Sequence, residues 1–367
     1  MPRAIARGGS AALIAAVVAS ILIIAPKPLR DQPEPDAAEA VDVAWHVRGG
    51  DGFITTVENG RNGPSRYPPG FVLALLPFSV APQSEPFVAR LERGTRFYAA
   101  LYVLISAGTA WTLGGALAGA IAALMIGLSP FARAEAALLM SDTLAAALTV
   151  ALVPLLARPR RGAAIGAGLL IGVIAAIRLQ GLVLIPAALL VVEPPLRRSL
   201  IAGLALPLLA LAFYFFAAFG SPFRTGYGYY VTAPLFRPSY VLAPTGVDGP
   251  WVIGDRFGGN LFRWMCPCPY DAPEAAFSNL VFYPIVLSGL FWIFAPPPIA
   301  LLGLWRCWTM RRTAGARFTL ALSALTFMLV VTYHYQSSRF LAAPISMLAI
   351  YGCVAVANWM ESYADTF

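Results

Sequence analysis

Histidine is nearly missing from this chain. His46 and His334 are the only two in 367 residues, which excludes a histidine-rich metal site. The four cysteines show no zinc spacing. Cys266 and Cys268 stand two apart in CPCP, where a bridge between them would be strained; two free thiols, or a bridge to another chain, are the plainer readings. Cys307 and Cys353 fall at or within apolar runs. Charge is scarce as well: 12% of residues are charged and 59% are apolar, and the mean hydropathy is +0.71, which together exclude an ordinary soluble domain. What is left is an all-α polytopic membrane protein. The net charge of +8 rests almost wholly on arginine. In a soluble chain that would point to nucleic acid, but in a bilayer protein it reports topology, so nucleic acid is set aside as a partner.

What is present is a series of charge-poor apolar runs, at 11–25, 97–113, 115–131, 136–157, 162–177, 181–193, 199–219, 280–304, 318–333 and 340–358. They predict about 10 transmembrane helices, within a range of about 9 to 12. Several runs are shorter than the ~20 residues a bilayer asks for. The pairs 97–131 and 162–193 therefore read as tight helical hairpins hinged at Gly114-Gly115 and at Arg178-Leu179-Gln180-Gly181, or as tilted, partly re-entrant helices. The whole chain, 1–367, is expected to form one membrane-embedded domain. Its parts are a first transmembrane helix within 1–29, a first outer loop at 30–96, helices two to seven at 97–219, a second long outer loop at 220–279, and helices eight to ten with a short tail at 280–367.

Orientation follows from arginine. PRAIAR at the N-terminus, RPRR at 158–161, LRR at 196–198 and WRCWTMRRTAGAR at 305–317 fall on one side if ten spans are counted. By the positive-inside rule that side is the cytoplasm, which puts both termini inside and the long segments outside. The N-terminal segment also has the grammar of a cleaved signal peptide, with Val18-Ala19-Ser20 inside its apolar run.

Polar groups that are costly in lipid gather on the outer face. Asp142, in LLMSDTLAAAL, is the only charged residue in the interior of a marked run, Glu193 standing at the very end of 181–193, and Ser141-Asp142 reads either as a functional acid or as a helix cap. Arg178 and Arg339 sit at the outer ends of two hairpins, where they either snorkel or bind an anionic group such as phosphate. Asp36, Glu39, Asp42 and Asp51 cluster after the first run, as a functional group of acids or as a solvated loop start. A short helix is expected from about Asp36 to Val47, with Ala40, Val43, Ala44 and Val47 on a face that can lie on the membrane surface. A second interfacial helix is expected at FVLALLPF, after the extended Tyr67-Pro68-Pro69-Gly70.

Taken in order, these motifs carry a resemblance. An acid after the first helix, a G-x-G-F helix end, YPPGF, an acid opening the fourth helix in SDTLAAAL, GLLIGVIAAIR and a late SRFLAAP resemble the GT-C glycosyltransferases, as does FGSPFRTGYGYY at 219–230. Within them the order is most similar to the protein O-mannosyltransferase-like branch, which includes lipid A aminoarabinose transferases and other bacterial polyprenyl-phosphate-dependent enzymes. The resemblance covers about residues 30 to 350. It departs in having Leu after Arg178 where Pro is frequent, and in placing Glu39 one helical turn after Asp36 rather than beside it.

The resemblance implies a bacterial inner-membrane enzyme that moves a sugar from a polyprenyl-phosphate donor to an acceptor glycan, lipid or protein at the outer face. Asp36 matches the catalytic aspartate, with Glu39 as the next candidate; Asp142 matches the second acid, and Arg178 and Arg339 match phosphate partners. Asp42, Tyr67, Arg224, Tyr227, His334 and Tyr335 are the further candidates for substrate contact. No cofactor is implied with certainty; a divalent cation is the alternative to arginine for stabilising the leaving phosphate. The competing reading is a transporter or flippase of lipid-linked substrates using Asp142 and Arg178, but no inverted repeat is evident and such a protein has no need of the polar first outer loop.

Overall fold

The computed structural model describes residues 2–23, 35–57, 62–80, 85–226, 293–332 and 338–364. Among them the chain is almost entirely helical. Helix α1 spans Pro2–Ile23 and α2 spans Pro35–Gly49; a two-stranded hairpin follows, β1 Ile54–Thr55 pairing antiparallel with β2 Gly63–Pro64. Then come α3 Gly70–Ser79, α4 Phe87–Gly127, α5 Pro130–Glu135, α6 Asp142–Leu156 and α7 Arg161–Ile177. A 3-10 turn, Leu179–Val183, leads into α8 Leu184–Val191 and α9 Pro194–Phe219. Beyond residue 292 are α10 Pro297–Thr309, α11 Ala314–Thr332, a 3-10 turn Ser338–Leu341 and α12 Ala342–Ala364.

Both expected hinges are present, and each has a local cause. Gly115 has φ 83° and ψ −177°, a conformation reserved for glycine, so α4 is two helical limbs, 87–113 and 116–127, meeting at a sharp break. Arg178 is extended, with φ −147° and ψ 121°, which ends α7 and turns the chain into the 3-10 segment. At the other end of α9, Gly220 takes φ 76° and closes the helix in a left-handed cap.

Among the described residues three helices are long and apolar enough to cross a membrane: Phe87–Gly127, Pro194–Phe219 and Arg339–Ala364. The other apolar helices are shorter. Runs 97–113 and 115–131 are joined within α4 and its extension, and most of run 280–304 lies outside the described residues. The bundle is held by close helix contacts at small residues. A Cβ on Gly168 or Gly203 would overlap the facing backbone where α7 crosses α9, and Gly303 and Gly352 do the same for α10 and α12. Such backbone approach is how helices associate where lipid removes the hydrophobic drive.

Two expectations about the first outer segment change. The face of α2 carrying Ala40, Val43 and Ala44 is buried in the protein core rather than spread on a membrane surface, because α3 lies against it. Helix α3 in turn buries Phe71, Val72 and Leu75, and its first residue sits on α7: a Cβ on Gly70 would come within 2.6 Å of the Ala176 carbonyl. The segment after the first helix is thereby clamped onto one end of the bundle. Gly114 against Val354, and Gly315 against Tyr351 and Val153, mark the opposite end. Helices α6 and α7 have Asp142 and Arg178 at the first end and the RPRR loop, 158–161, at the other.

Candidate active site

The residues singled out at the first end converge. Asp36, in the first turn of α2, pairs with Arg339 of the 3-10 turn before α12, Nη2 to Oδ2 at 2.8 Å across 303 positions of sequence. The other carboxylate oxygen, Oδ1, accepts the Tyr67 hydroxyl. Asp142 opens α6 and pairs with Arg178, Nη1 to Oδ1 at 2.6 Å. Arg178 also donates to Ser141 Oγ at 3.4 Å and to Gln180 Oε1 at 3.3 Å. Phe340 lies between the two cations, 5.8 Å from the Arg178 guanidinium carbon and 6.0 Å from that of Arg339. The alternative that Ser141-Asp142 merely cap α6 finds no support in hydrogen bonding, since the Ser141 side chain makes no capping bond.

Asp142, Arg178 and Arg339 line a half-open cleft of about 60 Å³. Its other walls are largely apolar, with Leu184, Leu322, Leu329, Val330 and Ala343, while Gln180, Thr149 and Thr326 add neutral polar groups. Asp36 does not line the cleft itself and joins its wall through Arg339. Burial pushes the Asp36 carboxyl up, but Arg339, the Tyr67 hydroxyl, Arg178 and Arg66 together outweigh it and hold the group below its ordinary value of 3.8. Asp142 Oδ2 is buried without a hydrogen-bond partner among the described residues.

The remaining predicted residues divide. Glu39 is fully buried; its Oε1 accepts from Ser65 Oγ at 2.8 Å and from the Arg66 amide at 2.6 Å, and its Oε2 lies 3.7 Å from Arg66 Nε. Burial raises its pKa above the ordinary 4.5 despite those donors. It stands apart from the cleft and fixes the 65–67 segment that carries Tyr67. Asp42 likewise faces inward on the hairpin, accepting from Thr55 Oγ1 at 2.9 Å and from the Thr56 amide at 2.6 Å. Asp51 takes His46 Nδ1 at 3.0 Å. Arg224 is exposed beyond α9, while Tyr227, His334 and Tyr335, with Cys266 and Cys268, lie outside the described residues. Cys307 and Cys353 are buried free thiols.

Gln180 and Phe340 escaped the sequence reading. Both had a signal: Gln180 is a neutral polar residue inside an apolar hairpin next to Arg178, and Phe340 follows Arg339 directly.

No protein-family model matches the sequence, and no curated protein matches it. Solved structures do share its fold. ArnT from Cupriavidus metallidurans bound to undecaprenyl phosphate matches with a TM-score of 0.57 at 15% identity, over 95% of this chain and 60% of its own. The Archaeoglobus fulgidus oligosaccharyltransferase in its apo form matches with a TM-score of 0.63 at 11% identity, over 98% of this chain and 51% of its own. The archaeal oligosaccharyltransferase AglB from the same organism, in complex with an inhibitory peptide and a dolichol-phosphate, matches with a TM-score of 0.61 at 11% identity, over 97% and 50%. This chain thus spans between 50% and 60% of the length of these three. Such a likeness shows the fold alone: the chain shares the fold of these solved structures.

Proposed function

We propose that the chain is an integral membrane glycosyltransferase that moves a sugar from a polyprenyl-phosphate donor to an acceptor hydroxyl by one inverting displacement. The observation that carries this reading is the pair of carboxylate–guanidinium contacts, Asp36–Arg339 and Asp142–Arg178, at the polar end of an otherwise apolar cleft. An apolar wall suits a prenyl chain, and planar guanidinium groups suit its phosphate. The solved neighbours carrying undecaprenyl phosphate and dolichol-phosphate support the same donor class. The motif order favours the protein O-mannosyltransferase-like branch, in a bacterial inner membrane with the cleft facing outward and both termini in the cytoplasm. The acceptor is a hydroxyl of a glycan, lipid or protein presented on that face.

In this mechanism the donor phosphate competes with Asp36 for Arg339. Drawing the guanidinium away removes the strongest cationic influence on the carboxylate, and its basicity rises while Tyr67 keeps it in place. The acceptor oxygen then attacks the anomeric carbon as Asp36 takes its proton. The bond from that carbon to the phosphate oxygen breaks, and the electron pair leaves on the polyprenyl phosphate. Arg178 and Arg339 stabilise the charge developing there, where preorganised cations act most strongly. A single displacement inverts the anomeric configuration. Among the described residues no three His, Cys, Asp or Glu side chains are placed to hold a metal ion, and Asp36 and Asp142 already face guanidinium groups. This donor set does not fit a divalent cation, so no step is assigned to one.

The test is a single-turnover reaction with radiolabelled polyprenyl-phosphate sugar. Asp36→Asn, which removes the carboxylate's competition for Arg339, is expected to bind donor at least as tightly and to transfer sugar roughly 100-fold more slowly or worse, the usual scale for losing a general base. Transfer near the wild-type rate removes Asp36 from catalysis.

A further inference from the structure

The end of the bundle remote from this cleft holds a second opening. Helices α10 and α12 touch at Gly303 and Gly352, and toward the arginine-rich end they leave a space of about 460 Å³, open to the surroundings. Its walls include Trp305, Arg306, Ala355, Asn358, Trp359 and Ser362. Trp305 and Trp359 are 57% and 66% exposed.

Arg306 sets the chemistry of this opening. Its side chain is partly buried, its Nε is shielded from solvent, and that nitrogen has no hydrogen-bond partner. Among the described residues no carboxylate reaches it within ion-pair distance. Nearby, Arg311 is engaged with Trp308, donating to its carbonyl at 3.0 Å and lying 5.1 Å from its ring centre. Arg312 is exposed in the same turn, and Glu361 is the one acid on the adjoining stretch of α12. A shielded cationic donor without an acceptor is costly, so a ligand that brings an anionic oxygen is favoured there. The flanking tryptophans are the side chains that settle at the headgroup level of a bilayer, and basic pockets between transmembrane helices on the arginine-rich side hold anionic lipid headgroups.

We propose that α10 and α12 form a discrete binding site for the headgroup of an anionic phospholipid, unrelated to the donor cleft. Arg306 donates to the phosphodiester, Asn358 offers hydrogen bonds to headgroup hydroxyls, and Trp305 and Trp359 flank the glycerol backbone. Excess positive charge from Arg311 and Arg312 selects a net-negative lipid over a zwitterionic one.

Native mass spectrometry of the full-length protein in detergent tests this, titrating phosphatidylglycerol against phosphatidylcholine of the same acyl chains. The expected result is one saturable site that binds phosphatidylglycerol about tenfold or more tightly than phosphatidylcholine, a margin of one charge-assisted contact. Arg306→Gln should abolish that preference, and so should Ala355→Phe, which fills the opening without removing charge. Arg158→Gln, exposed at the same end but outside the opening, should leave it intact. Equal binding of the two lipids overturns the proposal. So does a preference that survives in whichever of the two cleft variants keeps native helicity, or one that Arg158→Gln weakens as much, since that is diffuse charge attraction.

Discussion

At the scale of single side chains, Asp36 and Asp142 are both paired with arginine but differ in what the pair supports. The Asp36 carboxyl stays below 3.8 against the opposing effect of burial, because Arg339, Tyr67, Arg178 and Arg66 favour its charged form. Its contribution to stability is therefore present above the free carboxylate's pKa and is lost as the pH falls through the lower native value. Under the proposed function, the acidic limb of kcat/KM should lie below pH 3.8, and in Tyr67→Phe and Arg339→Gln it should move upward. A pH–rate profile measured with the donor well below saturation checks this. Arg339 is about one-fifth exposed, and its loss should chiefly weaken donor binding, by about 2 to 5 kcal/mol if the phosphate contact is desolvated. Asp142 is only 2% exposed. Arg178→Gln leaves that acid without its partner and should destabilise the fold by about 3 to 5 kcal/mol, while the double variant with Asp142→Asn should recover much of the loss. Thermal unfolding in detergent reads both outcomes, and a double variant no more stable than Arg178→Gln shows that the pair is not the cause.

At the scale of elements, the break in α4 is a glycine property that can be tested alone. A Cβ on Gly115 meets nothing within 4 Å, so Gly115→Ala reports the cost of its backbone conformation rather than a clash. A loss of about 1 to 3 kcal/mol is expected, by the same unfolding measurement, with an unchanged melting point showing that the hinge relaxes freely. This hinge was legible in sequence because a glycine pair interrupting two apolar runs has one main structural use. The turn at Arg178 was legible for a related reason, since Arg and Gln interrupt apolar helix there. The setting of α2 was not. Periodicity shows that Ala40, Val43 and Ala44 share a face, yet what covers that face depends on α3, some thirty residues later. The Tyr67 contact to Asp36 and the Ser65–Arg66 clamp on Glu39 were hidden for the same reason, because each joins residues 26 to 31 positions apart through a hairpin whose closure no local pattern specifies.

At the scale of the whole molecule, the Asp142–Arg178 cleft and the 158–161 arginine loop lie at opposite ends of the described bundle, and the proposed orientation predicts a labelling pattern. Single cysteines at Gly63 and Gly249, in a background without the native four, should react with an impermeant thiol reagent in intact cells, and one at Gly162 should not. Labelling at Gly162 with protection at Gly249 reverses the orientation. Ordering of charge along the chain made this end-to-end polarity readable, whereas the number of crossings was not: apolar runs of 13 to 17 residues end up as short or joined helices whose depth depends on their neighbours.

The contact between Asp36 and Arg339 spans most of the polypeptide, 303 positions from one partner to the other. During synthesis the acid leaves the ribosome 303 residues ahead of its guanidinium, so a chain that has not yet reached Arg339 carries one half of the pair and lacks the other. At the translation rates of living cells, roughly 5–20 residues per second, that interval lasts tens of seconds. Under the proposed function, a chain within that interval holds Asp36 without its guanidinium, and insertion of the segment that carries Arg339 completes the pair.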